Sequence, residues 1–362
     1  MSCPHSDELS ILKPYIEIID KELLNFLSRF KNPEEYYNTL LYHFGYRSFL
    51  QKNSGNGAHC FFAKRLRPLM CLLISESLTE DYHQVIPLIL GIELMHNASL
   101  IHDDIQDRDE VRWGRPTVWK LFGIEQGINC GDTLQAMAYG LILELYDKGI
   151  KENVVRKVLE VSSQIHRTVV EGQYLDLMFE NRTDITEAEY FDMIERKTAA
   201  PYAGAAECAA LLAYENRYPE RVEAYRQFGL QLGILFQLSD DILGIWGGIE
   251  KTGKTPADIR NKKKTLPVIY TFNHASPDSR EKLIQLYDSP QLSDNDIFQV
   301  LNILQETGAY HACDVWIKKY YQETLSALKK TEISASFLEK LSGIADYCLN
   351  RIKVMTAAKK SV

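Results

Sequence analysis

The sequence predicts an all-α fold, a single-domain helical bundle over residues 1–362 in which only 1–9 form a loose N-terminus. Three observations support this fold class. Apolar residues recur at helical spacing along most of the chain. No turn of the Asn-Gly or Asp-Gly type is flanked by alternating strands. No linker is long enough to separate two domains, so we expect one core.

The predicted helices follow one another from the first turn onward. Leu12, Ile16 and Ile19 give the first helix its apolar face. Asn32-Pro33 opens the second, with an N-cap residue before a proline in the first turn. The glycine-containing stretch 119–131 is predicted to be a crossover. The predicted segments are 11–30, 33–42, 69–78, 85–95 running on without a break to 107, 134–146, 151–170, 186–198, 221–238 and several more from 283 onward.

Composition and charge exclude several classes of function. The chain is 45% hydrophobic and 25% charged, as in ordinary globular proteins, and no apolar run reaches the ~18 residues of a membrane span. Its net charge of −8 argues against general nucleic-acid binding, so an anionic substrate would need local cations or metal. The seven cysteines form no CxxC pair, which indicates reduced thiols and a cytoplasmic protein.

Two acidic groups carry the main chemical signal. Asp103, Asp104 and Asp107 end an apolar helical run, and on a helix Asp103 and Asp107 lie one turn apart on the same face. Carboxylates placed in this way repel each other unless a cation joins them, and Mg²⁺ prefers oxygen ligands. Asp240-Asp241 follow a second apolar run. A lone pair would indicate a solvated helix end, but two pairs in apolar sequence predict that they face each other across a cavity and hold a metal-bridged diphosphate.

Two basic stretches accompany these acids. Lys64, Arg65 and Arg67 precede an apolar helix and form either an anion site or an exposed basic turn. The glycine- and lysine-rich stretch 247–264 is either a solvated loop or a lid that closes on pyrophosphate. The residue types alone leave both alternatives open.

Taken together, these motifs resemble the trans-isoprenyl diphosphate synthase (polyprenyl synthetase) family, most closely its geranylgeranyl diphosphate synthase-type members. The resemblance runs from about Phe62 to Pro267 and keeps the family's order. Its landmarks are Lys-x-x-Arg-Pro at 64–68, His96, DDxxD at 103–107 followed by Arg112 and Gly-x-Pro at 114–116, GQxxD at 172–176, Lys-Thr at 197–198, Asp-Asp at 240–241, and GK…D…K-x-TLP over 253–267.

The resemblance implies a fold, a reaction and a cofactor. The fold is the isoprenoid synthase (class I terpenoid synthase) bundle with a deep central cavity, usually as a homodimer. The reaction joins isopentenyl diphosphate to an allylic diphosphate, and these prenyl diphosphates are the expected partners. The cofactor is Mg²⁺, about three ions per site, which Mn²⁺ could replace.

Roles carry over from the resemblance residue by residue. The predicted metal ligands are Asp103, Asp104, Asp107, Asp240 and Asp241. The predicted catalytic residues are the same five aspartates and Lys197. The predicted substrate-binding residues are Lys64, Arg67, His96, Arg112, Gln173, Lys197, Thr198, Gln237, Lys254 and Lys263.

Product length should follow from small residues before the first aspartate. In the family, aromatic side chains four and five residues before it stop the product at C15. Here those positions are Ser99 and Ala98, with Met95 one turn further on as the floor of the pocket. The resemblance therefore implies a longer product, C20 geranylgeranyl diphosphate.

Two departures from the family pattern keep other functions open. Trp113 replaces the second arginine after the first motif, and Gly244 replaces the last aspartate of the second. The first change forfeits a charge-assisted contact of roughly 1.5–3 kcal/mol unless Arg115 substitutes. The alternatives are a class I terpene cyclase on the same scaffold and a non-catalytic subunit of a heteromeric synthase.

Overall fold

The computed structural model describes residues 10–47, 65–79, 81–215, 217–247 and 256–359, with side chains to residue 352. It is 80% helical, which confirms the all-α prediction. Lys64 and Lys254 lie outside the described residues, as do 1–9.

The helices begin and end close to where the apolar spacing places them. In chain order they are α1 Lys13–Leu27, α2 Glu34–His43, α3 Leu66–Thr79, α4 Ile86–Gln106, α5 Val118–Phe122, α6 Ile124–Leu143, α7 Glu152–Phe179, α8 Glu187–Ile194, α9 Ala200–Tyr214, α10 Pro219–Trp246, α11 Ala257–Arg260, α12 Leu266–His274, α13 Pro277–Asp288, α14 Asp294–Glu306, α15 Ala309–Lys329 and α16 Ala335–Lys359. A π-helical turn, Glu195–Ala199, joins α8 to α9.

One short antiparallel ribbon follows the first acidic group. Strand β1, Val111–Arg112, pairs with β2, Arg115–Pro116, so that Arg112 lies opposite Arg115. The turn between them contains Trp113 and Gly114, both with positive φ. The ribbon brings the arginine of β1 back toward the end of α4.

The prediction of a crossover over 119–131 is wrong. α5 and α6 occupy this stretch, and two of its glycines lie inside α6. A Cβ on Gly127 would stand 2.7 Å from Ile105, and one on Gly131 would stand 2.2 Å from the His102 ring. These glycines therefore mark close packing of α6 against α4, which a rule that treats glycine as a helix breaker cannot detect.

The chain folds as two compact units. The first comprises Met1–Ser163 with Cys208–Pro219, and the second comprises Gln164–Glu207 with Glu220–Val362. Each has its own apolar core, built from α1, α2, α4 and α6 in the first unit and from α10 to α15 in the second. The single domain and its central cavity stay predictions.

Two helices are long and apolar enough to cross a membrane by length and composition, α4 with its preceding turn and α10. In each of these helices, 61% of the 18-residue apolar stretch is buried inside the protein. Buried core helices have the same composition, so this finding does not indicate a membrane span.

Candidate active site

The first acidic group, defined as Asp103, Asp104 and Asp107, lies at the end of α4 in the first unit. Asp107 caps the helix, and its backbone N–H donates to the Asp103 carbonyl at 2.8 Å. Arg112 Nε from β1 donates to Asp104 Oδ1 at 2.6 Å, and Nη2 stands 2.6 Å from the same oxygen in the ion pair. The same guanidinium stands 3.9 Å from Asp103 Oδ2. Arg112 is therefore the counter-ion of the buried aspartate, and Asp103 and Asp107 are more exposed than Asp104.

Asp104 is the most deeply buried member of the group. Burial raises its pKa to about 7, although Arg112 acts in the opposite direction. Within the part of the chain that the structure describes, its buried Oδ2 has no hydrogen-bond partner. A buried carboxylate oxygen without a donor is costly, and a cation would compensate it.

The second acidic group, defined as Asp240 and Asp241, lies on α10 in the second unit. Asp241 is 3% exposed, and three donors hold it. Tyr190 donates its hydroxyl to Oδ2 at 2.6 Å, the Leu266 N–H donates to the same oxygen at 2.8 Å, and Gln237 Nε2 donates to Oδ1 at 2.8 Å. Burial nevertheless raises the pKa of Asp241 to about 7.

Asp240 has a different kind of partner. Arg351 of α16 stands 2.5 Å from Asp240 Oδ1. The guanidinium lies over the rings of Phe236 and Tyr347, at 5.5 and 5.6 Å from their centroids. Stacking of this kind fixes the direction of the ion pair.

The predicted allylic-diphosphate residues Lys197 and Thr198 lie in the π-helical turn. Lys197 Nζ donates to Asp176 at 2.6 Å, and the Thr198 hydroxyl donates to Gln237 Oε1 at 2.8 Å. Gly172 makes this approach possible, because a Cβ there would stand 2.3 Å from the Lys197 nitrogen.

Hydrogen bonds thus connect Thr198 through Gln237 to Asp241 within the second unit. Turns of π-helix occur often at functional sites. Gln173 follows Gly172 on α7 and is half-buried.

In the first unit Arg67 and His96 are in contact, and their predicted role in binding isopentenyl diphosphate stays a prediction. Arg67 Nη1 donates to His96 Nε2 at 3.1 Å. Burial and the neighbouring arginines hold the pKa of His96 well below its usual value, so the ring is neutral and accepts this bond.

The idea of three clustered cations is wrong for Arg65, which is 4% exposed. It pairs with Glu93 and, at 3.0 Å, with Asp20. Arg65 has a φ of +45°, and its ion pairs with Asp20 and Glu93 hold the guanidinium inside the protein.

The structure does not support the idea that Arg115 takes the place of the arginine that Trp113 replaces. The Arg115 guanidinium lies 4.0 Å from the Tyr42 ring centroid and donates to the Arg47 carbonyl at 3.1 Å. Trp113 is 41% exposed, and its ring lies 5.9 Å from the buried His43 ring.

The lysine run divides between inward and outward side chains. Lys262 donates to the Tyr287 carbonyl at 2.9 Å. Lys264 is 8% exposed and lies over the Phe272 and Tyr287 rings. Lys263 is exposed, and its predicted role in binding the diphosphate stays a prediction.

The predicted chain-length residues lie on α4. Ala98 is 2% exposed inside the apolar core of the first unit, and Met95 packs against the same core. Ser99 is half-buried and donates its hydroxyl to the His96 carbonyl at 2.7 Å. Their influence on product length stays a prediction.

The carboxylate oxygens of both acidic groups are ligands of the kind that Mg²⁺ prefers. No three His, Cys, Asp or Glu side chains converge on one point among the residues described. Mg²⁺ does not require such a cage, because it is usually held by one or two carboxylates together with water and substrate phosphates. All candidate ligand atoms of the two groups are oxygens, and Asp104 Oδ2 has no hydrogen-bond partner among the described residues, which agrees with that mode of binding.

Sequence reasoning missed three partners of the acidic groups: Tyr190, Arg351 and the backbone N–H of Leu266. A single tyrosine or arginine on a predicted helix carries no pattern. Only Leu266 lay within a motif, the Thr-Leu-Pro at 265–267.

Comparison with known proteins places these observations in a family. The polyprenyl synthetase family model matches residues 58–304. The chain is 35% identical to a (2E,6E)-farnesyl diphosphate synthase of Mycobacterium bovis, over 80% of this chain and 79% of that protein. It is 35% identical to a geranylfarnesyl diphosphate synthase of Aeropyrum pernix, over 83% and 94%. The fold superposes on a crystal structure of geranylgeranyl pyrophosphate synthetase from Pyrococcus horikoshii with a TM-score of 0.80 and 26% identity, covering 95% and 98%.

Proposed function

The chain belongs to the polyprenyl synthetase family, and we propose that it is a trans-prenyltransferase that condenses isopentenyl diphosphate with an allylic diphosphate. The observation that supports this most is the pair of acidic groups, each set in apolar helices with its buried carboxylate held in place. We test the proposal with dimethylallyl, geranyl, farnesyl and geranylgeranyl diphosphates, each with Mg²⁺ and with or without isopentenyl diphosphate. Elongated products in mass spectra support it, and no elongation of any primer overturns it.

The protein side chains would prepare the site before substrate arrives. Lys197 is held by Asp176, so its ammonium is positioned to bind the allylic diphosphate through charge-assisted bonds. Arg67 and neutral His96 offer donors to isopentenyl diphosphate. When bound, Mg²⁺ would neutralise charge that develops on the leaving diphosphate. Both acidic groups act on the same leaving group in this proposal.

We propose a C20 product because small side chains precede the first acidic group. The named products of relatives run from C15 to C25, so family membership leaves the length open. Ala98→Phe should shorten the product, because an aromatic ring there would occupy space beside the growing chain. The overpacked core should cost about 1–3 kcal/mol of stability. Unchanged product length in a folded variant would remove Ala98 from the pocket wall.

We propose a homodimer from exposed apolar side chains near the two ends of α6. Ile124 and Leu143 are each 48% exposed, Ile128 is 45% exposed, and Tyr146 in the turn after the helix is 42% exposed. Large apolar side chains exposed to solvent favour burial against a second copy. A monomer mass in solution at micromolar concentration would contradict this. We also propose a cytoplasmic location, since the five described cysteines are buried and none of them forms a disulfide among the residues described.

A terpene cyclase is the second candidate, favoured by one observation. Trp113 removes a charge near the acceptor site, and Arg115 is engaged by Tyr42 and Arg47. Hydrocarbon or alcohol products from geranylgeranyl diphosphate alone would favour the cyclase. Under the prenyltransferase proposal Trp113→Arg should instead lower the KM for isopentenyl diphosphate.

A further inference from the structure

Four buried polar side chains form a connected network in the first unit. His43 of α2 contacts Asn97 of α4, with 3.0 Å between His43 Nε2 and Asn97 Oδ1. Asn97 Nδ2 donates to the Glu93 carbonyl at 2.8 Å and to Glu93 Oε1 at 2.7 Å. Glu93 in turn forms an ion pair with Arg65. These four residues are between 1% and 7% exposed, and we refer to them as the buried network.

The direction of the hydrogen bond between His43 and Asn97 follows from the other bonds of Asn97. Because Asn97 Nδ2 donates to Glu93, Asn97 Oδ1 is left to accept, and His43 Nε2 must donate. Burial lowers the pKa of His43 to about 3, and nearby arginines act in the same direction. His43 is therefore a neutral donor that supports Asn97 without adding charge to a region that already contains several arginines.

Arg65 connects the buried network to Arg67. The Arg65 carbonyl accepts the Leu69 N–H at 2.8 Å, so α3 begins directly after Arg65. The φ of Arg65 is +45°, a conformation that a residue other than glycine keeps only where its surroundings enforce it. The ion pairs with Glu93 and Asp20 supply this constraint. Arg67 lies in the first turn of α3, so its position depends on how Arg65 is held.

The buried network also holds the part of α4 that carries His96. His96 lies between Glu93 and Asn97 in the chain, and it accepts a hydrogen bond from Arg67 Nη1 at 3.1 Å. After burial, the charges of Arg67 and Arg112 are the largest causes that lower the pKa of His96. The two residues predicted to bind isopentenyl diphosphate, Arg67 and His96, are thus both attached to one network.

Stability alone does not explain a buried ion pair at this place. Charged groups lose hydration on burial, and apolar residues of similar volume often give equal or greater stability. Leu90 and Leu94, on either side of Glu93 in the chain, belong to the apolar core of the first unit. An apolar pair would suit these surroundings. The ion pair instead fixes a residue of positive φ beside Arg67, which indicates a role in positioning.

We propose that the buried network positions Arg67 and His96 to bind the diphosphate of isopentenyl diphosphate together. This inference rests on the proposed function. His43, Asn97 and Glu93 are positioning residues in this account, because they act through Arg65 and α4 and do not contact the diphosphate. Disruption of the network should therefore weaken the binding of isopentenyl diphosphate while the allylic substrate and the chemical step are little affected.

The test measures steady-state kinetics of the full chain with each of the two substrates varied. His43→Phe keeps a buried ring but removes the donor to Asn97. The double variant Arg65→Met/Glu93→Met keeps similar volume but removes both charges. Each should raise the KM for isopentenyl diphosphate roughly 10-fold, because small displacements of positioning groups have effects of at least this size. The kcat and the KM for the allylic diphosphate should change much less.

Rescue and control variants separate positioning from a general loss of stability. His43→Gln restores a side-chain N–H donor and should recover most of the affinity for isopentenyl diphosphate. Val158→Ala is the matched control, because Val158 is fully buried in the same unit but lies outside the network. It should lower the melting temperature and leave both KM values unchanged.

Two results would overturn the inference. One is an unchanged KM for isopentenyl diphosphate in either disrupted variant, with a melting curve that shows a folded protein. The other is an equal rise in the KM for both substrates, which would indicate a structural role alone. Failure of the unmodified protein to elongate any primer would instead overturn the proposed function, so the two failures are distinguishable.

Discussion

The aspartates of the two acidic groups are held by different partners. Each contains one aspartate that is almost fully buried, Asp104 or Asp241, and one that is more exposed, Asp103 or Asp240. In the first group the arginine binds the buried member. In the second group neutral donors hold the buried member, and the arginine binds the exposed one.

This difference indicates which aspartates a metal ion could bind only in competition with an arginine side chain. In the first group Arg112 stands 3.9 Å from Asp103 but 2.6 Å from Asp104. In the second group Arg351 is already on Asp240, so a metal would have to share or displace it. We therefore expect variants of the first group to act mainly on turnover, and Arg351 to act mainly on metal dependence.

The largest expected effect is loss of turnover in Asp103→Ala. Removal of one group that stabilises transition-state charge costs about 10²–10³-fold in kcat. Because Asp103 is partly exposed, the fold should be kept. Steady-state kinetics and a thermal melt check this, with exposed Asp278→Ala as the control. Turnover within a few-fold of the unmodified protein would remove Asp103 from the chemistry.

Substitution of the buried aspartates, Asp104 and Asp241, should have a smaller effect, on stability, that distinguishes the two groups. Asp104→Asn leaves the partly exposed Arg112 without its carboxylate and should cost about 1–3 kcal/mol above pH 7, where Asp104 is ionised. Asp241→Asn loses charge-assisted bonds and should cost about 1–3 kcal/mol. Adding Arg112→Gln should recover stability only beside Asp104→Asn. Recovery in both backgrounds, measured by urea unfolding, would contradict the pairing.

Both acidic groups should contribute to the pH dependence of stability in the same direction. Burial raises the pKa of Asp104 and Asp241 from 3.8 to about 7. The folded state then binds more protons than the unfolded state between those values, so the free energy of unfolding should fall as pH rises from about 4 to 7. The measurement uses protein treated with EDTA. Mg²⁺ with pyrophosphate should offset the fall near pH 7, and a rise in stability from these groups would contradict the assignment.

The smallest effect expected is that of Arg351→Gln. Loss of its guanidinium frees Asp240, so the Mg²⁺ concentration for half-maximal activity should change several-fold while kcat changes little. Arg217→Gln, at an exposed arginine of the other unit, is the control. An unchanged Mg²⁺ requirement would show that Arg351 has no influence on metal binding.

The sequence predicted most of the helices and set both acidic groups on apolar helices, whereas the roles of these aspartates stay predictions. Apolar spacing predicted α1 and α4 within a few residues, because their buried faces are continuous. It failed at α6, where Gly127 and Gly131 serve packing between helices. It also grouped Arg65 with Arg67, since charge alone does not distinguish a buried ion pair from a ligand site.

Partners that come from distant parts of the chain were beyond sequence reasoning. Tyr190 and Arg351 contact the second group through tertiary packing, and no local pattern marks them. Gly244 was visible in the sequence as a departure, but the close approach of Asp258 to its backbone required the structure.

We propose that both acidic groups act on one magnesium-bound diphosphate. A double-mutant cycle with Asp103→Asn and Asp240→Asn tests this proposal, with calorimetry measuring the magnesium-dependent binding of inorganic pyrophosphate. We predict that the double variant binds little more weakly than either single variant, with a coupling energy above about 1 kcal/mol. Losses that simply add would contradict the account, because they would mean that the two groups act independently.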